Sequence, residues 1–267
     1  MTATVAPLSN DPVWEEIRRH TRDQAQAEPV LASFLYTTIL NHDTLEAALS
    51  FHLANKLDSP AVPAMLVREV IEQALADDPA IGAAVRADLM AVNERDSACH
   101  ALTTPFLFYK GFHALQSYRI AHWLWQRNQQ SLALYLQNRI SVVFGVDIHP
   151  AAVIGKGIMF DHATGIVIGE TAVVEDDVSM MQSVTLGGTG KESGDRHPKV
   201  RRGVLISAGA KILGNIEIGE CAKVGAGSVV LKPVPARKVV AGVPATVVGD
   251  SNCNQPSRSM DHRLQDK

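Results

Sequence analysis

Three short stretches concentrate the side chains able to do acid–base or ion-pairing chemistry: Asp147-Ile148-His149-Pro150, Asp161-His162 and Arg196-His197. An imidazole titrates at about pH 6.5, which suits a general base near neutrality. A carboxylate on its second nitrogen fixes the tautomer and stabilises the imidazolium that forms, so an Asp within reach would make His162 an oriented base. Spacing alone leaves a second reading open, in which His162 only fills a corner of the scaffold. Arg196 offers a planar fork that takes a carboxylate bidentately, with the His197 imidazole beside it; a solvated surface loop accounts for that pair equally well. The glycines at 187–190 do not make a phosphate loop, because G-x-x-x-x-G-K-[ST] needs glycine at Thr185 and Ser or Thr at Glu192. His149, His162 and His197 include no i, i+4 or i, i+5 pair, so no metal site is expected.

The elements that would position these residues announce themselves by period. From Ile148 a large apolar residue recurs every sixth position, at Ile154, Ile168, Val174, Met180 and Leu186, then at Val200, Ile206, Ile212, Ile218, Val224 and Val230. Small or β-branched residues often follow four positions later, as at Ala152, Ala172, Val184, Ala210 and Ala222. Six-residue units cannot bury an apolar face alone, so they wind into a solenoid whose triangular coils cover one another. The beat breaks twice. Ile154 to Ile168 is 14 residues instead of 12, with the surplus near 160–165, and Leu186 to Val200 is again 14. The second break holds four glycines, mixed charge and a proline, which reads as an extruded loop, and loops on rigid scaffolds carry function.

Residues up to about 144 follow helical grammar instead. Asp43 with Glu46 predicts a capping box, Asp78-Pro79 a capped start, and Pro29, Pro60 and Pro63 further starts. Two more helices are expected over 106–125, interrupted at Gly111, and over 132–144, closed by Gly145. Three units follow: a helical domain over 1–144, a solenoid over 145–249 and a flexible polar tail over 250–267. Apolar residues make up 46% and charged ones 20%, enough for a real core, and a net charge of −3 argues against a nucleic-acid face. No apolar run approaches the roughly 20 residues of a membrane span, and Met1 to Asp11 lacks a secretory signal, so a cytoplasmic protein is expected. Cys99, Cys221 and Cys253 are odd in number and lack metal spacing, which favours free thiols.

Four blocks then carry a specific resemblance: 147–152 (DIHPAA), 157–165 (GIMFDHATG), 182–191 (QSVTLGGTGK) and 194–199 (GDRHPK). In this order they resemble serine O-acetyltransferase, and 54–57, Arg95-Asp96 and 110–116 agree. The resemblance implies an α+β fold, an α-helical N-terminal domain followed by a left-handed parallel β-helix. It also implies a homo-oligomer, a trimer or a dimer of trimers, with active sites in the clefts between solenoids. The implied reaction transfers acetyl from acetyl-CoA to the L-serine hydroxyl, giving O-acetyl-L-serine and CoA for cysteine biosynthesis, with no cofactor beyond acetyl-CoA and with L-cysteine as feedback inhibitor. Carried over by position, His162 is the general base and Asp147 its orienting partner, while Asp96, Asp161, Arg196 and His197 hold serine. Gly187, Gly188, Gly209 and Gly225 are candidates for close backbone approach to CoA, and Lys232 for its phosphate.

One departure concerns a partner. Relatives that dock into cysteine synthase generally do so through a terminal isoleucine, whereas this sequence ends in Lys267, which argues against that complex. Two alternatives compete: another hexapeptide O-acyltransferase, acting on a sugar, an antibiotic or homoserine, and an inactive scaffold regulating cysteine synthase. Arg196 and the two carboxylates favour an amino-acid acceptor over the first. The complete Asp147/His162 and Arg196/His197 sets oppose the second.

Overall fold

A computed structural model describes residues 11–190 and 193–264; Met1 to Asn10, Lys191-Glu192 and the terminal lysine that bears on cysteine synthase lie outside the described residues. The helical half runs through α1 (Pro12–Ala27), α2 (Ala32–Leu35), α3 (Leu45–Leu57), α4 (Ala64–Asp77), α5 (Pro79–Arg95), α6 (Thr103–Phe108), α7 (Lys110–Gln126) and α8 (Gln130–Phe144). Local chemistry explains the starts. Asp78 accepts from the Ala80 N–H at 3.0 Å with Pro79 in the first turn of α5. The capping box at Asp43 is displaced by one residue, since Thr44 caps α3 through the Ala47 N–H at 3.2 Å and Glu46 instead pairs with Arg86 at 2.6 Å. Gly145 closes α8 in the left-handed region, at φ 67°.

From Asp147 the chain winds as a left-handed parallel β-helix with three faces. Face A stacks β1 (Asp147–Ile148), β4 (Val167–Ile168), β7 (Thr185–Gly187), β10 (Lys211–Leu213) and β13 (Val229–Val230). Face B stacks β2 (Val153–Ile154), β5 (Val173–Val174), β8 (Lys199–Val200) and β11 (Glu217–Ile218). Face C stacks β3 (Met159–Phe160), β6 (Ser179–Met180), β9 (Leu205–Ile206), β12 (Lys223–Val224) and β14 (Lys238–Gly242), which pairs antiparallel with β15 (Ala245–Asp250). Every residue of the six-residue beat is buried. Phe160 belongs to it as well, pairing with Met180 on face C.

The register locates both breaks. Phe160 pairs with Met180, 20 residues on, Met180 with Ile206, 26 on, and Ile206 with Val224, 18 on. Against the 18-residue coil, the first break adds two residues after β3 and the second adds eight between β7 and β8. The two halves of the chain are locked together. Asp88 of α5, fully buried, accepts from Arg119 at 2.6 Å, from Gln116 at 2.9 Å and from the Ile158 N–H of the solenoid at 2.9 Å. Arg119 in turn donates to the Gly155 carbonyl at 2.7 Å.

The segment expected to be a flexible tail is packed along face C as far as Leu264. A short helix, α9 (Pro256–Ser259), buries Ser257, whose carbonyl accepts from Ser179 at 2.8 Å. His262 Nδ1 lies 2.7 Å from Ser207 Oγ, and Lys223 donates to the Arg263 carbonyl at 3.0 Å. The three cysteines are free thiols. Among the described residues no helix is long and apolar enough to cross a membrane.

Candidate active site

The two extra residues of the first coil create the corner that carries His162. His162 and Ala163 both take left-handed backbone angles, φ 55° and 60°, a conformation that costs a non-glycine residue free energy and that clusters at functional sites. The corner is over-determined: Thr164 N–H donates to the His162 carbonyl at 2.8 Å, Gly165 N–H to the Gly145 carbonyl at 2.7 Å, and Lys110 reaches Thr164 Oγ1. Gly111 in α7 has a purpose here, because a Cβ at that position would run into the Phe160 carbonyl and Ala163. The imidazole of His162 is 71% exposed, with Nε2 at 3.8 Å from Asp161 Oδ1.

Asp96 caps the end of α5, its N–H on the Val92 carbonyl at 2.9 Å and its carboxylate accepting from the Ala98 N–H at 2.8 Å. It shares a cavity of about 560 Å3 with Asp161, His162, Tyr109 and Lys110. Burial pushes the Asp161 carboxyl above its ordinary range; His162 opposes the shift and the like charge of Asp96 adds to it. With Asp96 beside it, the Asp161 carboxylate makes this cavity a favourable place for a cation.

Arg196 and His197 sit at a different corner, between faces A and B. Thr171 organises them: its Oγ1 accepts from the Arg196 and His197 N–H groups at 3.0 and 3.1 Å, and its N–H donates to His197 Nδ1 at 3.2 Å. That bond makes Nδ1 an acceptor and leaves the ring proton on Nε2. Burial and the adjacent Arg196 charge lower the His197 pKa, so the ring is a neutral donor. Arg196 Nη2 pairs with Glu170 at 2.6 Å, and this bond holds the Glu170 carboxyl below its usual range.

The sequence-predicted residues therefore fall into two groups. Asp96, Asp161 and His162 converge at the corner from face C to face A, and Arg196 and His197 lie at the corner from face A to face B, across the width of face A. Asp147, on β1 of face A, takes a hydrogen bond from Gln137 of α8 at 2.7 Å and makes none to His162. The candidate CoA contacts divide in the same way. Gly187 and Gly188 open the extruded loop and exposed Lys232 follows β13, all toward face B. Gly209 turns the corner from face C at φ 73°, and Gly225 lies at the end of β12 under the Leu264 side chain. Tyr109, Glu170, Thr171 and Gln137 were not singled out from sequence. Only Glu170-Thr171 had a usable signal, at the corner one coil beneath the loop.

Comparison with known proteins agrees with this architecture. Residues 13–117 match the family model described as serine acetyltransferase, N-terminal, and residues 197–232 match the bacterial transferase hexapeptide (six repeats). A serine acetyltransferase of Salmonella typhimurium is 61% identical over 252 residues, covering 94% of this chain and 92% of that one. A solved serine acetyltransferase in complex with cysteine superposes with a TM-score of 0.93 at 59% identity, covering 95% of this chain and 99% of the other. One from Brucella abortus in complex with coenzyme A gives 0.91 at 51% identity, covering 93% and 100%. With this identity sustained through both the helical half and the solenoid, the chain belongs to the serine acetyltransferase family.

Proposed function

We propose that the chain transfers the acetyl group of acetyl-CoA to the hydroxyl of L-serine, giving O-acetyl-L-serine and CoA on the route to L-cysteine in the cytoplasm. The observation that carries this reading is the cavity in which an exposed imidazole stands beside two carboxylates, in a chain of this family. His162 takes the hydroxyl proton as serine attacks the thioester carbonyl, a contribution of about 10²–10⁴ in rate. The proton then goes to the departing thiolate as the tetrahedral adduct collapses. Asp96 and Asp161 take the serine ammonium, Arg196 its carboxylate, and His197 Nε2–H is a donor for the developing oxyanion. Asp147, held by Gln137, is the orienting partner of His162. The reaction needs no cofactor beyond acetyl-CoA.

Because the two residue groups stand at opposite edges of face A, one protomer does not hold a whole site. Copies arranged as a trimer, face A inward, bring the His162 edge of one against the Arg196 edge of the next, and CoA runs in the cleft between them. Exposed Val167 on face A, and Val142 and Val143 in the last turn of α8, suit that contact. Val30, Phe34 and Met65 are exposed on the helical half and suit a second trimer. L-Cysteine shares the ammonium and carboxylate of serine and inhibits in competition with it, a reading supported by the relative solved with cysteine. Thiol release from acetyl-CoA, with L-serine, homoserine and chloramphenicol compared as acceptors, tests the proposal. Release that depends on L-serine is expected; release with another acceptor alone would refute it.

A further inference from the structure

The joint between α6 and α7 is held by several hydrogen bonds, and it brings Tyr109 to the acceptor cavity. Tyr109 takes an extended conformation between the two helices, φ −87° and ψ 109°, with its N–H on the Pro105 carbonyl at 3.4 Å and its carbonyl accepting from His113 N–H at 3.1 Å. Two carbonyls of the last turn of α6, which its end would leave without partners, are taken by imidazoles: Phe106 by buried His113 at 2.8 Å and Leu107 by buried His52 at 3.2 Å. Its ring packs on the buried cluster of Val92, Cys99 and Met159. Tyr109 lines the same cavity as Asp96, Asp161 and His162, and the Asp96 carboxylate acts on its phenol. Burial and that carboxylate push the phenol up to about 12, so it stays protonated.

We propose that Tyr109 is a specificity-determining residue of the acceptor site, its phenol oxygen taking one N–H of a primary ammonium whose other two N–H groups go to Asp96 and Asp161. The inference rests on the L-serine reading above. An alkylammonium has three donors, and Asp96, Asp161 and Tyr109 can supply one acceptor each. In the proposed arrangement the phenol O–H turns to Asp96 and its lone pairs face the space the ammonium occupies. The site therefore selects primary α-amines: an N-methyl amine has one N–H fewer and a bulkier nitrogen.

Tyr109→Phe keeps the ring and its packing and removes only the hydroxyl. Loss of a hydrogen bond to a charged group predicts an L-serine KM and calorimetric Kd raised about tenfold or more, with kcat and the acetyl-CoA KM within about twofold. The preference for L-serine over N-methyl-L-serine should shrink in the same variant. Unchanged L-serine binding in Tyr109→Phe would overturn the assignment, and so would a loss that extends equally to acetyl-CoA. A wild-type protein that neither binds nor acetylates L-serine would overturn the underlying reading instead.

Discussion

If each site is built from two copies, two inactive variants should rescue one another. His162→Ala removes the base and Arg196→Ala removes the carboxylate clamp, and the structure puts these residues at opposite edges of one face. Each variant alone should keep about 1% of wild-type turnover or less at fixed subsaturating serine, given losses of about 10²-fold or more for a base or a bidentate charged contact. In a trimer assembled at random from equal amounts of both, a cleft is whole when one copy supplies an intact His162 edge and its neighbour an intact Arg196 edge. Each condition is met with probability of about one half, so about a quarter of the clefts are whole. The assay is thiol release after the two variants are mixed, dissociated in mild denaturant and reassembled, with undissociated mixtures as the control. Recovery to about 25% would stand well above the summed residual rates. Activity that stays at that residual level, in mixed oligomers verified by two affinity tags, would refute the shared cleft.

Three further outcomes follow from particular groups. His52 is neutral in the fold because burial lowers its pKa from 6.5 to about 4, so its contribution to stability is full above pH 6.5 and is lost as pH falls toward 4. That window is worth about 3 kcal/mol; urea unfolding at about pH 7 and about pH 4.5 should show the loss, and His52→Gln should reduce it. Asp88→Asn leaves Arg119 buried without its counter-ion and should destabilise the protein by about 3–5 kcal/mol, read as a lowered thermal midpoint. Asp147→Asn should lower kcat by about tenfold or more with the thermal midpoint preserved; unchanged turnover would remove Asp147 from the mechanism.

The solenoid was legible because its core repeats at a fixed interval, and all twelve residues of the beat are buried. Phe160 escaped that reading because the two residues added after it delay the next beat, so one long corner looked like a missing strand. The same insertion produces the left-handed His162 corner, which makes the departure from period a marker of the site. Helix ends were legible where one side chain decides them, as at Asp78 and Gly145. They slipped where neighbours compete, as at Asp43 and Thr44. Tyr109 could not be found from sequence, since its role arises from α6 and α7 meeting the first coil. Gln137 likewise gains its partner only through the packing of α8 on the first coil. The division of the predicted site between two edges of face A was invisible in a linear reading, because 18-residue winding decides which residues become neighbours.

The most direct test of the account is product identification: purified protein with acetyl-CoA and L-serine, CoA measured as free thiol and the acetylated product by mass, with His162→Ala in parallel. The account predicts O-acetyl-L-serine in equal amount to CoA, falling about 10²-fold or more in the variant. Full-rate product from His162→Ala, or CoA released without O-acetyl-L-serine, would contradict it.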